Sequence, residues 1–233
     1  ELHARASAVA ATIAAHTVSH TAPLAAVLAY RSITAFAGVL GALMAGRGYV
    51  PLNPHFPVER TVSMFERSDC HVIIADAASQ PMLVSLLEAC DRELLVLLPD
   101  CASLDNLVRQ FPGHRFLGTR ELAAAHGADF ASTVSGQSLA YLLFTSGSTG
   151  VPKGVMVTQS NVRHYIDVMT PRYGITEQDR CSQTFDMTFD LSVHDMLMTW
   201  ERGACLCCPT RKTLLNPAEF MEAKRLSIWF SVP

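Results

Sequence analysis

Long apolar runs are missing from this chain of 233 residues. A membrane helix needs roughly 18–20 of them in a row, whereas residues 24–30 are closed by Arg31 and residues 33–45 stop at Gly46-Arg47. No membrane-spanning segment is expected. Charge is also scarce: charged residues make up 17% and apolar residues 49%, which excludes the polar, charge-rich composition of a disordered chain. The length allows one large domain or two small ones, with a substantial core in either case. A concentrated basic field is lacking too. The net charge is −3 and the Lys and Arg residues are scattered, so a nucleic acid is not expected as partner.

The seven cysteines, at 70, 90, 101, 181, 205, 207 and 208, are odd in number and irregular in spacing. That does not suggest a disulfide framework and fits a reducing cytoplasm. Cys205-Leu206-Cys207-Cys208 lacks the two separated pairs of a zinc site and reads as small apolar residues of a buried strand. No metal ligand set is assigned. The start, Glu1-Leu2-His3-Ala4-Arg5, has no Met and lacks the basic-then-apolar grammar of a signal peptide. It reads as a piece of something longer.

What the chain does have is alternation. Leu2, Ala6, Val9, Ala10 and Ile13 recur at helical spacing, and a strand is expected at about residues 23–30. His16 and His20 stand four apart, but Thr17, Val18, Ser19 and Thr21 between and beside them are poor helix formers, so both are read as loop residues. Residues 32–45 form a second helix with a stop at Gly46. Further helices are expected at 58–67, 82–90, 161–169, 191–200 and 217–226, the last capped by Asn216. Further strands are expected at 71–75, 93–98, 138–144, 155–157, 204–208 and 227–232. Residues 100–137 look less regular. Helices alternating with buried-strand runs predict an α/β fold, with parallel sheets covered by helices, and no linker-like segment marks an internal boundary.

Between two of those strands lies Thr145-Ser146-Gly147-Ser148-Thr149-Gly150-Val151-Pro152-Lys153-Gly154. Glycines let successive backbone N–H groups turn toward one concavity and keep side chains out of it. Hydroxyls add neutral donors, and Lys153 adds a cation. Such a loop suits a polyphosphate. It is not a Walker A loop, which places Gly before the Lys, Ser or Thr after it, and then a helix. Here Pro152 precedes Lys153, Gly154 follows it, and a β-branched strand comes next. Nor does it read as a flexible Ser/Gly linker, since buried-strand patterns flank it on both sides.

Residues 139–144 with this loop resemble the core signature of the adenylate-forming superfamily, which holds acyl-CoA synthetases, luciferases and the adenylation domains of nonribosomal peptide synthetases. Two further stretches resemble the adenylation domains in particular: Met44-Ala45-Gly46-Arg47-Gly48-Tyr49-Val50-Pro51-Leu52-Asn53-Pro54 with Pro57, Glu59 and Arg60, and Phe185-Asp186-Met187-Thr188-Phe189-Asp190-Leu191-Ser192-Val193. Glu1-Leu2 is similar to the tail of the family's first motif, so the resemblance spans the chain. It implies an incomplete N-terminal subdomain of the adenylate-forming fold.

The resemblance also implies roles. Residues 145–153, with Thr145, Ser146, Gly147, Ser148, Thr149, Gly150 and Lys153 as contacts, would embrace the phosphates of ATP and its Mg²⁺, and Thr145 and Lys153 would act in the reaction. Asp190 matches the acid that pairs with an amino-acid substrate's α-ammonium; a partly buried carboxylate needs such a cation, although a helix N-cap is the plainer role. Phe189, Leu191 and His194 would line the side-chain pocket, with an ordinary helix-surface residue as the plainer reading of His194. Gln159 stands where the family commonly has a His. The family's Tyr-Gly-Pro-Thr-Glu segment, its ribose-gripping Asp and its C-terminal Lys are absent, so the chain alone is expected not to catalyse.

The parent would make an aminoacyl-adenylate, release pyrophosphate and pass the acyl group to a carrier protein's phosphopantetheine thiol. An acyl-CoA or aryl-acid ligase and a non-catalytic binding module are the alternatives.

Overall fold

The computed structural model describes residues 1–17, 22–128, 134–145 and 152–232. Short aliphatic runs make its centre. β1 (Leu24–Leu28), β2 (Gly48–Leu52), β3 (Val72–Ala75) and β4 (Leu95–Leu97) are buried at every position, as strands covered on both faces must be. With β5 (Arg115–Leu117), β6 (Leu139–Thr145) and β7 (Lys153–Thr158) they form a seven-stranded sheet in the order β5-β4-β3-β1-β2-β6-β7. Neighbours are parallel except β6 and β7, which pair antiparallel. Parallel strands need long crossovers, and these are supplied by helices, as the alternation in the sequence predicts.

Those crossovers carry α2 (Ile33–Met44), α3 (Val58–Ser68), α4 (Gln80–Glu88) and α5 (Asp105–Gln110), with α1 (Leu2–His16) before the first strand and α6 (Thr119–Ala124) after β5. α2 starts at Ser32, whose hydroxyl oxygen accepts the Ala35 N–H at 3.1 Å and donates to Asp76 Oδ2 at 2.8 Å. It stops where Gly46 takes a φ of +74°, the left-handed turn that glycine adopts at least cost. Asp76 is buried and also accepts from the backbone N–H and hydroxyl of Ser79. One carboxylate therefore fixes the chain after β1 and after β3. Beneath the sheet's faces, Leu28, Leu52, Phe65, Ile73, Leu83 and Leu97 are fully buried, each contributing about 1.5–3 kcal/mol of apolar transfer.

Residues 100–137, expected to be irregular, hold α5, β5 and α6. Each spans only 3 to 6 residues, too few for a period of 2 or 3.6 to show.

The chain divides into two compact units, Glu1–Gln159 and Ser160–Pro233. The division falls in the first turn of α7 (Gln159–Tyr173), which is why no linker announces it. The second unit holds α8 (Leu191–Glu201), α9 (Pro217–Lys224) and a two-stranded parallel sheet of β8 (Arg180–Ser182) and β9 (Cys205–Cys207). Asn216 caps α9 as expected, accepting the Glu219 N–H.

The strand expected over residues 227–232 is reduced to one bridge, Cys181 with Ile228. Side chains take the ladder's bonds there. The Phe230 N–H donates to Ser182 Oγ at 3.0 Å, and the Thr184 hydroxyl donates to the Phe230 carbonyl at 3.0 Å; hydroxyls compete with regular pairing in this way. The buried-strand reading of the cysteine cluster holds for Cys207, while Cys205 is exposed. No helix among the described residues is long and apolar enough to cross a membrane.

Candidate functional site

The hairpin of β6 and β7 presents the ends of the hydroxyl-and-glycine loop. Ala140, Leu142, Leu143 and Phe144 anchor β6 in the core, and the register pairs Phe144 with Gly154 and Thr145 with Lys153. Ser146, Gly147, Ser148, Thr149 and Gly150 lie outside the described residues. At their two ends Thr145 and Lys153 face each other across the antiparallel pair, both exposed, with the Thr145 hydroxyl donating to the Lys153 carbonyl at 3.5 Å. The Lys153 ammonium makes no ion pair among the described residues. Gln159 closes the base of the hairpin: its N–H donates to the Ser138 carbonyl at 2.8 Å and its side-chain amide to the Leu139 carbonyl at 3.5 Å.

In the second unit, the entrance to α8 is fixed by a local turn. Asp186 Oδ1 accepts from the Thr188 N–H at 2.9 Å and from the Thr188 hydroxyl at 2.6 Å, and the Ser192 hydroxyl donates to the Phe189 carbonyl at 2.6 Å. These bonds leave Phe189 59% exposed and set Asp190 at the N-cap position. The Asp190 side chain makes no capping bond, because its own backbone is already helical at φ −61°, ψ −27°. The carboxylate is exposed, not partly buried as expected. It accepts no hydrogen bond among the described residues.

His194, one turn along α8, is buried rather than on the surface. Its Nδ1 lies 2.8 Å from Tyr165 Oη, and rings surround it: Phe230 at 4.3 Å, Tyr173 at 5.2 Å and Tyr165 at 6.1 Å between centroids. Burial lowers the His194 pKa. The Tyr165 phenol is shifted upward by burial, and further by Tyr173 and Asp190. The phenol and Nδ1 share one hydrogen bond, whose direction follows the imidazole tautomer. His194 also lines a cavity of about 10 Å³ with Asp195, Ser182, Thr199 and Phe230, space for about one water molecule. Phe189, Asp190 and Leu191 do not line it. The structure thus separates the four sequence-predicted substrate residues into three at the mouth of α8 and one set into an aromatic cluster.

Tyr165, Tyr173 and Phe230 were not visible to motif reasoning. Tyr165 is 29 residues from His194, and no short-range pattern joins residues so placed. Among the described residues no group of three His, Cys, Asp or Glu side chains could hold a metal ion.

Comparison with known proteins sets these features in context. The family model "AMP-binding enzyme" matches residues 1–233. "Nonribosomal peptide synthetase 2" of Cochliobolus heterostrophus is 30% identical over 220 residues, covering 94% of this chain and 4% of that protein. "L-proline--[L-prolyl-carrier protein] ligase" of Pseudomonas fluorescens is 30% identical over 208 residues, covering 88% of this chain and 39% of the ligase. The solved adenylation domain AlmE of Vibrio cholerae, in complex with glycyl-adenosine-5'-phosphate, superposes with a TM-score of 0.84 at 30% identity, covering 100% of this chain and 44% of that one. The chain thus spans less than half the length of each. With a family match from end to end and a fold that follows the N-terminal part of a solved adenylation domain, the chain belongs to the AMP-binding, adenylate-forming enzyme family.

Proposed function

We propose that the protein carrying this chain activates an amino acid with ATP, forming an aminoacyl-adenylate and releasing pyrophosphate. The observation that carries the choice of an amino acid is the Asp190 carboxylate, exposed at the mouth of α8 and without a hydrogen-bond donor among the described residues. Water meets the exposed carboxylate in the free chain, so its lone pairs stay open to a substrate ammonium, which supplies both charge and directional donors. An aryl or fatty acid has nothing to offer it. AlmE, bound to an aminoacyl adenylate, supports the same reading.

In this reading a substrate carboxylate oxygen attacks the α-phosphorus. A carboxyl–phosphate bond forms, the bond from the α-phosphorus to the bridging oxygen breaks, and pyrophosphate takes the electron pair. Two anions must approach, so positioning and neutralisation supply most of the acceleration, with no protein nucleophile. Lys153, whose ammonium is exposed and free of ion pairs among the described residues, neutralises the departing phosphates. Thr145 and residues 146–150 supply hydroxyl and amide donors. Asp190 holds the ammonium, Phe189 and Leu191 beside it contact the side chain, and His194, set into its ring cluster, backs them from within α8. Among the described residues no group of three His, Cys, Asp or Glu side chains offers a metal cage; the ion would enter with ATP as Mg·ATP, bound to its phosphates. A carrier-protein thiol then attacks the acyl carbonyl, forming a thioester as the carbonyl–oxygen bond to AMP breaks and AMP leaves, consistent with the name of the ligase relative.

The test is amino-acid-dependent exchange of pyrophosphate into ATP by the longest natural protein that carries this chain. Exchange driven by one or a few amino acids supports the proposal. Exchange driven only by aryl or fatty acids assigns the protein to the acid ligases, and no exchange with any acid, nonproteinogenic amino acids included, removes the assignment.

A further inference from the structure

The cysteine cluster has no part in the reading above, yet its geometry is specific. β9 pairs in parallel with β8 so that Arg180 faces Cys205, Cys181 faces Leu206 and Ser182 faces Cys207. Residues two apart on a strand share a face, so Cys205 and Cys207 point the same way. Their sulfurs lie 3.9 Å apart. Both backbones are pinned to the neighbouring strand segment, since the Cys205 N–H donates to the Asp179 carbonyl at 2.9 Å and the Gln183 N–H donates to the Cys207 carbonyl at 2.9 Å. Asp179 is itself held by the Ser227 hydroxyl at 2.7 Å and the Thr176 N–H at 2.8 Å. The ladder therefore fixes the backbone spacing from which the two sulfurs project.

Two readings of a thiol pair compete, and distance separates them. A disulfide draws the sulfurs to about 2.05 Å and sits poorly across two extended residues, whose span of roughly 6.6 Å is at the long end of the α-carbon separations it bridges. Two thiolates on one tetrahedral ion with bonds of about 2.3 Å stand roughly 3.8 Å apart. The observed spacing, at which one thiol can donate to the other, also matches the second with almost no movement.

We propose that Cys205 and Cys207 form a two-thiolate binding site for a soft or borderline-soft divalent cation of the zinc and cadmium class. Cys205 is exposed and gives the ion access, while Cys207 is buried. Water fills the remaining coordination positions, because no third His, Cys, Asp or Glu joins the pair among the described residues. The ion displaces both thiol protons, forms two metal–sulfur bonds and changes no oxidation state. Burial and the neighbouring Cys205 push the Cys207 thiol up to about 11, while Arg180 and Lys224 pull it back. The site is open and exchangeable, unlike a closed structural zinc site.

The chain, kept reduced with a non-coordinating phosphine in a non-chelating buffer, is titrated with Cd²⁺ alone, and the ultraviolet sulfur-to-cadmium charge-transfer absorption is followed. One equivalent per chain is expected to saturate it. Cys205→Ser, at an exposed position, is expected to abolish the stoichiometric phase; Cys205→Ala guards against a serine-specific effect, and circular dichroism checks the fold of each. Cys208→Ser is expected to keep the phase. No absorption in the unaltered chain, an unchanged titration in both Cys205 variants, or equal loss in Cys208→Ser would overturn the assignment. Pyrophosphate exchange reads none of these outcomes, so this proposal and the adenylation reading stand or fall separately.

Discussion

Gly41→Ala tests how closely α1 and α2 are packed. A β-carbon at Gly41 would lie 2.6 Å from Val9 Cγ1, 2.7 Å from Val9 Cβ and 2.9 Å from the Ala6 carbonyl oxygen. Two of those atoms are rooted in the α1 backbone and cannot swing aside, so the helices must move apart. Ala6, Val9, Ala10 and Ile13, all buried on α1, would lose contact together. Overpacking costs about 1–3 kcal/mol, and contacts under 3 Å to atoms that cannot swing aside put this site at about 2–3 kcal/mol, against a gain of about 1 kcal/mol for alanine over glycine inside a helix. The clash outweighs the propensity by about 1–2 kcal/mol. For a chain of this size each kcal/mol moves Tm by about 2–4 °C, so a fall of about 2–8 °C is expected. Gly113→Ala is the control: nothing lies within 4 Å of its added carbon, and its effect should stay within about 0.5 kcal/mol. Thermal melts of the three chains by circular dichroism measure both shifts. A Gly41→Ala melt at or above that of the unaltered chain would refute the packing reasoning.

In the full protein, Asp190→Ala is expected to lower kcat/KM for the amino acid by about 5–30-fold, between the loss of an exposed charge pair and the low end for a buried one; an unchanged value in the exchange assay would disconnect Asp190 from the ammonium. Lys153→Ala should reduce exchange about 100-fold, as loss of a group that neutralises developing charge does; exchange kinetics at saturating ATP check this. Burial holds the folded-state pKa of His194 below its unfolded value of 6.5, so the unfolded chain binds the extra proton first as pH falls. Stability is then full above about pH 6.5 and declines below it until the folded-state pKa is reached. His16 and His114 are lowered by burial as well, so His194→Gln should reduce, not abolish, the drop in urea midpoint between pH 7.5 and 5; an unchanged drop counts against a buried neutral imidazole.

What the sequence made legible follows from how much of each feature is local. β1, β3 and β4 are continuous aliphatic runs because both faces are covered, and a run can be read without knowing its neighbours. The Asn216 cap and the Gly46 stop are equally local. β5 and its flanking helices escaped because three to six residues carry no period. The last strand failed because Ser182 and Thr184 side chains, some 46 to 48 residues away, took its hydrogen bonds. At the candidate site, motifs alone marked the loop and the α8 entrance. The exposure of Asp190 and the ring cluster around His194 depend on tertiary packing, which one sequence does not display.

The Asp76 carboxylate has a dynamic consequence. It receives the Ser32 hydroxyl from 44 residues earlier and the Ser79 amide and hydroxyl from its own turn, so the starts of two crossovers share a single clasp. Neither can fray without releasing the other. The Ala35 amide, bound to Ser32 Oγ, and the Ser79 amide, bound to Asp76, should exchange hydrogen for deuterium as one opening unit. Two loops distant along the chain thereby lose their independence and breathe in step.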